Sequence, residues 1–561
     1  MNTSLSYATA ARTDRRQWVA LAVVLVAALV DAVDVTVVHV AIPTIQRDVH
    51  APYAAVQWIV AGYALAFALG LITGGRLGDV YGRKRVFLAG LAGFTVASLL
   101  AGIATGPGVL IAARLLQGAM AAVMVPQVLA TIHVTFSQEA RGKAFAIYGA
   151  TLGVGVVSGP VIGGLLVTWN LFGLGWRPIF LVNLPLGIAG LVLGRRFIRE
   201  SRAEHPLRLD LPGVGWVAAG LFGLIFPLTE GGQLGWPWWA YLMLAGSVPV
   251  LAGFVLYQRV KSGRQDSPLV ELSLFRARSF SAGLSVQLLS GLTSGLFFLS
   301  WTFYMQTGLG WSPLHAALTG LPLALGIMAS SGLSMQLLVP RFGRRVLQAG
   351  ALLTVAGLAI YLGEAHRYSA GIASWQMILP LGVMGLGMGL VMAPLTDLTI
   401  TGVPHADAGS ASGLMSTAVQ VGLALGIALS SVTYFGALGG HTATTAAQIA
   451  PQLREQLIAA QTPAPQADAM AAWFQACTTA AAGQDGPAAI PAACRTSPRA
   501  NPAVTKILAG AGRQASRSAY SVTFANSLWY VMAGFAAMFI LMSALPMRAR
   551  QAPEAAAPDG G

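Results

Sequence analysis

The sequence predicts an all-α membrane protein with fourteen spans. Three observations carry that expectation. Of the 561 residues, 55% are hydrophobic and only 10% are charged, whereas a soluble domain carries about a quarter charged residues. Mean hydropathy is +0.66. Apolar runs of about 20 residues, each enough to span a bilayer, recur along the whole chain.

The runs fall at 17–40, 54–74, 86–105, 108–132, 143–168, 178–197, 211–229, 238–258, 280–305, 314–338, 346–363, 375–402, 408–436 and 518–546. The first begins near Trp18 without a small-residue cleavage site, so it reads as a retained helix rather than a signal peptide. The seventh and eighth are the least regular, since they contain or adjoin Pro227, Glu230 and Pro249. Charge orients the series. With Arg12, Arg15 and Arg16 inside, the even-to-odd connections also fall inside. These hold Arg76, Arg83, Lys84 and Arg85, then Arg141 and Lys143, and then Arg195, Arg196, Arg199, Arg202 and Arg208. Further along come Arg259, Lys261, Arg264, Arg276 and Arg278, followed by Arg341, Arg344 and Arg345; Arg548 and Arg550 close the chain. The short opposite loops have only Arg47, Arg177 and Arg367. This is the positive-inside pattern. It predicts cytoplasmic N- and C-termini, and an even number of spans is consistent with it. The net charge of +14 is then a topology signal that meets anionic membrane lipid rather than nucleic acid.

Residues 437–517 break the pattern with a long Ala-, Gln- and Pro-rich stretch, extracytoplasmic in this topology. Two pieces, 446–461 and 467–482, have helical character. The only two cysteines, Cys477 and Cys494, lie here. An extracytoplasmic pair fits a disulfide, with two free thiols as the alternative.

Several polar residues are placed where polarity is costly. Asp31 and Asp34 lie in the first span, at a spacing that puts both on one helix face. Two close acids in a low-dielectric site need not both ionise at neutral pH, which suits carrying a proton or attracting a cation. The second span ends in Gly75-Arg76-Leu77-Gly78-Asp79-Val80-Tyr81-Gly82-Arg83-Lys84-Arg85. Its glycines permit a tight turn, and Asp79 can pair with nearby arginines. Arg114 sits in the fourth span, where a charge is expensive and seldom accidental; bonding the carbonyls of a kinked neighbour is one structural reading. The fifth span carries Gly153, Gly155, Gly159, Pro160, Gly163 and Gly164. In a membrane these residues admit a neighbouring backbone closely and bend the helix. In the second half, Asp397 follows Pro394 in the twelfth span and is either a coupling acid or interfacial. Glu230 ends the seventh span and reads as interfacial. Phe303, Tyr304, Met305, Met388 and Met392 are candidates to line an adaptable apolar cavity, although lipid or core contact is the commoner fate of such residues.

Together these segments resemble the fourteen-helix drug:proton antiporters of the major facilitator superfamily. Gly75 to Arg85 is similar to that superfamily's cytoplasmic signature loop, and Val339-Pro340-Arg341-Phe342-Gly343-Arg344-Arg345 to its degenerate second copy. Arg114-Leu115-Leu116-Gln117-Gly118 resembles the motif whose arginine is linked to proton transfer. Gly155, Gly159, Pro160, Gly163 and Gly164 resemble the antiporter motif of the fifth helix. Asp34, Thr36, Ala41 and Pro43 match the first-span pattern, with His39 standing where the family usually has Asn. Trp176-Arg177-x-Ile179-Phe180-x-x-Asn183-x-Pro185-x-Gly187 resembles a segment typical of the fourteen-helix branch. Gln57-Trp58 through Tyr63, and Gly310-Trp311-Ser312-Pro313, also look like family segments.

The resemblance implies a major facilitator fold, with two six-helix bundles plus two extra central helices. The expected divisions are 1–197, an N-terminal six-helix bundle; 198–275, two linking helices; 276–436, helices nine to thirteen of the second bundle; 437–517, the loop; and 518–561, the last span and a cytoplasmic tail. It implies a multi-pass protein of the bacterial plasma (inner) membrane. The implied activity is proton-coupled multidrug efflux of hydrophobic, often cationic compounds, with export of one metabolite, antibiotic or fatty acid as the alternative. Asp34, Asp31, Arg114 and Asp397 are the implied coupling and substrate residues, and Gly75, Arg76, Gly78, Asp79, Gly82, Arg83 and Lys84 the gating loop. Protons, small hydrophobic or cationic substrates and membrane lipid are the expected partners, and a periplasmic adaptor protein is a candidate one. No phosphate-binding loop, zinc-protease motif or nucleophile elbow is present, and the eight histidines are scattered. The expectation is therefore no enzyme, no cofactor and no metal, with energy drawn from an ion gradient.

Overall fold

Fourteen helices among the described residues are long and apolar enough to cross a membrane. The computed structural model describes residues 2–203, 208–264, 267–368, 371–400, 408–481, 494 and 502–547. The first six spans are α1 (Arg16–Asp48), α2 (Tyr53–Tyr81), α3 (Arg83–Gly102), α4 (Pro107–Thr135), α5 (Lys143–Trp169) and α6 (Pro178–Phe197). Then come α7 (Leu211–Glu230), α8 (Trp238–Gly263), α9 (Arg278–Gly308), α10 (Pro313–Phe342), α11 (Arg345–Tyr368), α12 (Ser374–Thr399) and α13 (Ala411–Ala459). A shorter helix, α14 (Ala464–Ala481), precedes the last span, α15 (Pro502–Ala544). Arg548 and Arg550 lie outside the described residues.

Helices α1 to α6 pack on one another, as do α9 to α13 with α15. The two bundles meet chiefly along α2 with α13 and α5 with α10. Helices α7 and α8 pair with each other and keep large apolar side chains such as Phe222, Leu242, Val248 and Leu256 exposed. An exposed apolar face on a spanning helix meets lipid at no cost. Small residues let the bundles close up. A methyl on Gly163 would come within 2.6 Å of Val37 Cγ2, and one on Gly164 within 2.8 Å of Leu314 Cα.

The end of the bundle away from the termini is sealed by aromatic rings. Tyr53 of α2 stacks on Phe435 of α13 at 4.4 Å between centroids, and Phe303 of α9 lies edge-on to Phe435 at 5.0 Å. The Tyr53 and Tyr520 hydroxyls are 3.1 Å apart. Gln306 donates to the Val40 carbonyl at 2.7 Å. These pairs join the first bundle to the second at this end.

The stretch 437–517 departs from a loop. Helix α13 continues to Ala459, and α15 already begins at Pro502. Residues 482–493 and 495–501 are outside the described part. The helices persist because an apolar stripe runs along each. Ile449, Leu453 and Leu457 of α13, Phe474 of α14, and Val504 and Leu508 of α15 bury one another in a separate small core. Apolar residues at a spacing of three and four are what hold such a helix in place. Arg454 and Asp468 pair across the α13–α14 turn. Cys477 on α14 is joined to Cys494, with Cα atoms 5.3 Å apart. Non-reducing mass spectrometry of the full chain is expected to give a mass two hydrogens below the free-thiol form; two alkylatable thiols would remove this link.

The two extra helices are anchored at their terminal-side ends by Asp210. Its carboxylate is buried and accepts from the Gly213 and Leu269 amides, Tyr257 Oη and Gln258 Nε2 at 2.9 to 3.1 Å. Lys261 Nζ is 2.9 Å away. Burial alone would push this carboxyl up, but Lys261, Gln258, Gly213 and Tyr257 together hold it down at about 2. A depressed carboxyl adds stability above its unfolded value near 4 and loses it as pH falls toward 2. Asp210→Asn is expected to lower the melting temperature at neutral pH, equivalent to about 1–3 kcal/mol for the charged hydrogen bonds lost. The gap to the wild type should shrink as the pH is lowered toward 2, which a pH series of thermal melts in detergent would measure.

Candidate membrane-embedded ion-pair site

The span pattern brings five helices of the first bundle to one buried carboxylate. Asp34 of α1 is fully buried, and Arg114 of α4 is 1% exposed. Arg114 Nη1 lies 2.5 Å from Asp34 Oδ2. Gln117 Nε2 and Asn183 Nδ2 donate to Asp34 Oδ1 at 2.8 and 2.9 Å. Both amides also reach Ser98 Oγ of α3, at 2.9 and 3.3 Å. Arg114 uses its Nη1 on Gln117 Oε1 at 2.7 Å and its Nε on the Ile59 carbonyl of α2 at 3.1 Å. Its guanidinium sits 4.3 Å above the Tyr63 ring. Both carboxylate oxygens of Asp34 are met by donors, and Arg114 is met by acceptors and a ring face, which is the condition for keeping two charges out of water.

Asp31 lies one turn away and is tied separately. It accepts from Tyr63 Oη at 2.5 Å. Tyr63 thus links the two acids, touching Asp31 through its hydroxyl and Asp34's partner Arg114 through its ring. His39 is two turns from Asp31 on the same helix, with its ring 6.3 Å from Phe298 of α9 and its Nδ1 without a hydrogen-bond partner. It therefore faces the other bundle. Asp397 is not brought to this cluster; it is exposed near the C-terminal end of α12. Glu230 accepts from Trp58 Nε1 at 3.1 Å where α7 meets α2.

The glycine-rich face of α5 lies against α1 beside these acids. A methyl on Gly159 would overlap the Thr36 hydroxyl, and one on Gly155 would come within 2.8 Å of Ala32 Cβ. Thr36 turns its hydroxyl back to the Ala32 carbonyl at 3.0 Å. Only glycine permits this approach of α5 to the acid-bearing stretch of α1. Pro160 lies inside α5 at the same level. Gly153, by contrast, has nothing within 4 Å of the position its Cβ would take.

At the terminal-side end of α2 the predicted gating loop is a dense polar knot. Asp79 pairs with Arg83 at 2.9 Å, one turn on. Gly82 adopts φ 103, a conformation that favours glycine, and its amide closes the helix on the Gly78 carbonyl at 2.9 Å. Gly78 is pressed against the Gln127 side chain, and Gln127 Nε2 donates to the Gly74 carbonyl at 2.7 Å. Gly75 has ordinary room, with Pro126 Cβ at 3.8 Å. Lys84 Nζ donates to the Arg195 carbonyl at 2.7 Å, and the Arg83 amide to the Ser201 carbonyl at 2.9 Å. Arg76 reaches out of the loop. It is buried and donates to the carbonyls of Arg208, at 2.9 Å, Ser267, at 3.1 Å, and Pro268. These carbonyls flank the α7–α8 pair, so the loop holds the two extra helices to the first bundle. In the second bundle Arg344 plays the matching part and donates to the Ser543 and Leu545 carbonyls at the end of α15.

Sequence reasoning singled out Asp34, Asp31 and Arg114. Gln117, Asn183 and Tyr63 stood inside recognised segments without an assigned task, and Ser98 went unnoticed. An amide or hydroxyl within an apolar span is the available signal, and for a lone serine it is faint.

A two-bundle helical architecture of this kind is that of a multi-pass membrane transporter. The family model for the Major Facilitator Superfamily matches residues 24–427, and the chain belongs to that superfamily. It is a multi-pass transporter rather than an enzyme. It is 37% identical over 538 residues to a probable actinorhodin transporter of Streptomyces coelicolor, an alignment covering 96% of this chain and 93% of that protein. It is 33% identical over 401 residues to the multidrug resistance protein Stp of Mycobacterium tuberculosis, covering 71% of this chain and 72% of that protein. The crystal structure of a bacterial homolog of the human lysosomal transporter Spinster shares the fold, with a TM-score of 0.58 at 16% identity over 96% of this chain and 99% of that one. These relationships place the chain among drug and antibiotic exporters.

Two glycines of α5 separate the local role from the general one. Gly159→Ala is expected to destabilise the α1–α5 contact by about 1–3 kcal/mol, as overpacking does, and to lower the melting temperature. Gly153→Ala should leave the melt near wild type. Equal effects of the two substitutions on thermal melts would contradict the assigned packing.

Proposed function

We propose that this protein is a proton-coupled exporter of hydrophobic compounds, cationic ones among them, working by alternating access in a bacterial plasma (inner) membrane with both termini cytoplasmic. The Asp34–Arg114 pair carries the reading. A carboxylate and a guanidinium this deeply buried form a two-state element, because a proton on Asp34 removes the charge that holds Arg114 in place. The freed guanidinium keeps its bonds to Gln117 Oε1 and the Ile59 carbonyl, so it has somewhere to rest. Asp31, held by Tyr63, extends the acidic face toward substrate. Rocking of one bundle against the other then breaks the Tyr53–Phe435–Phe303 seal, substrate leaves, and the acid is reset by losing its proton on the cytoplasmic side. Asp79 and Arg83 form the hinge-side pair of the same cycle.

A second reading is export of one dedicated metabolite or antibiotic. It is favoured by one observation: the alignment with the actinorhodin transporter covers so much of the chain that it takes in most of 437–517. A substrate panel in a pump-deficient host separates the two readings. A periplasmic adaptor would dock on the helices of that segment.

The coupling reading is tested in proteoliposomes with ethidium as substrate and a pH-sensitive dye as reporter. Asp34→Asn is expected to abolish uphill export and ethidium-induced proton movement while downhill passage continues. Asp31→Asn should be milder. Uphill, proton-driven export by Asp34→Asn at the wild-type rate would place coupling at another acid.

A further inference from the structure

Directly beyond the aromatic seal lies a partly open cavity of about 550 Å³, lined by the distal tips of α1, α2 and α9 and by the helices α13, α14 and α15. Its floor is Tyr53 and Tyr520, the same rings that close the path between the bundles. Its roof includes Trp473 and Phe474 of α14. Gln46 and Arg47 of α1 line one wall. We propose that this cavity is a second ligand site, which takes a planar aromatic molecule bearing an anionic group.

Four features specify that chemistry. Tyr53, Tyr520, Trp473 and Phe474 offer ring surfaces on floor and roof, which suit a flat aromatic body. The size is that of a pocket for a drug-sized molecule. Gln46 is 6% exposed, and its Nε2 donor has no hydrogen-bond partner. A buried donor left empty is costly, and an acceptor on a ligand would satisfy it. Among the described lining residues the ionisable charge is positive, that of Arg47, and no carboxylate faces the space. The described residues of the covering segment hold four Lys or Arg (Arg454, Lys506, Arg513, Arg517) against two acids (Glu455, Asp468), so the surrounding field also favours an anion.

The position gives the site a task. When the bundles part at this end, a molecule leaving the midplane passes the Tyr53 ring and enters this space before it reaches solvent. The site holds an aromatic acid on the far side of the seal, away from the Asp34 cluster, and the α13–α14–α15 cap forms its roof. The inference stands apart from proton coupling and survives if Asp34 proves not to be the coupling acid.

The test uses the full-length protein in lipid nanodiscs and isothermal titration with two flat bicyclic probes, naphthalene-2-sulfonate and N-methylquinolinium. The wild type is expected to bind the sulfonate, and the cation serves as the control for the midplane site. Arg47→Gln and Trp473→Leu should each weaken sulfonate binding about tenfold or more, as loss of a charged hydrogen bond or a ring platform would. Arg47→Gln should leave binding of the cation unchanged, which guards against a simple folding defect. Asp34→Asn should leave sulfonate binding unchanged. The proposal is overturned if the wild type does not bind the sulfonate, or if neither Arg47→Gln nor Trp473→Leu changes sulfonate affinity by more than twofold. Loss of sulfonate binding in Asp34→Asn equal to that in Arg47→Gln would place the probe at the midplane and overturn it as well.

Discussion

The first bundle is organised around one buried ion pair. Asp34 and Arg114 meet at 2.5 Å where neither touches solvent. Taking such a pair out of water costs several kcal/mol per ion, and breaking it by removing one partner costs about 3–5 kcal/mol. The cost is offset only if each remaining donor and acceptor is met, and this requirement places α2, α3 and α6 as well as α1 and α4. Ile59 supplies a carbonyl, Ser98 a hydroxyl and Asn183 an amide, each from a different helix. The helices converge because the charges would otherwise be stranded. The same expense makes the site responsive: protonation of one oxygen changes the balance of the whole cluster.

Around that cluster, the bundles meet through surfaces that differ at their two ends. At the distal end the seal is aromatic and hydrogen-bonded, with Tyr53 touching Phe435 and Tyr520. Along α5, glycine removes the side chains that would hold α1 and α10 away, so α5 contacts its own bundle at Thr36 and the other at Leu314. A helix that touches both halves at close range transmits a small shift as a rigid body, since packed interfaces change between discrete arrangements rather than deform smoothly. Arg76 adds a third coupling, from the signature loop to the carbonyls beside α7 and α8. The two extra helices are therefore tied to the first bundle at their Asp210 end. At their distal end, Thr229 also meets Ser431 of the second bundle, whose hydroxyl donates to its carbonyl at 3.0 Å. They bridge the halves rather than sit beside them.

The sequence by itself determined the elements of this protein. A hydrophobic run is long enough to cross or it is not, and arginines accumulate on one side of the series; both are local properties read without partners. The costly residues were legible for the same reason, because Asp34 and Arg114 stand out against an apolar run whatever they touch. Tertiary structure decided which of them meet. Partner choice between helices depends on the rotation and depth of each helix, and spacing along one chain carries neither. Hence Asp397, as polar as Asp34 on paper, lies exposed at the end of its helix, while the ordinary Ser98 joins the buried cluster. The stretch 437–517 shows the same division. Its composition is polar and Ala-rich, and only the mutual burial of Ile449, Phe474 and Leu508 turns it into a roof above the seal. Arg76 is the sharpest case: in sequence it is one more inside charge, whereas in the fold it is the donor that fastens two helices, because only folding brings three free carbonyls within its reach.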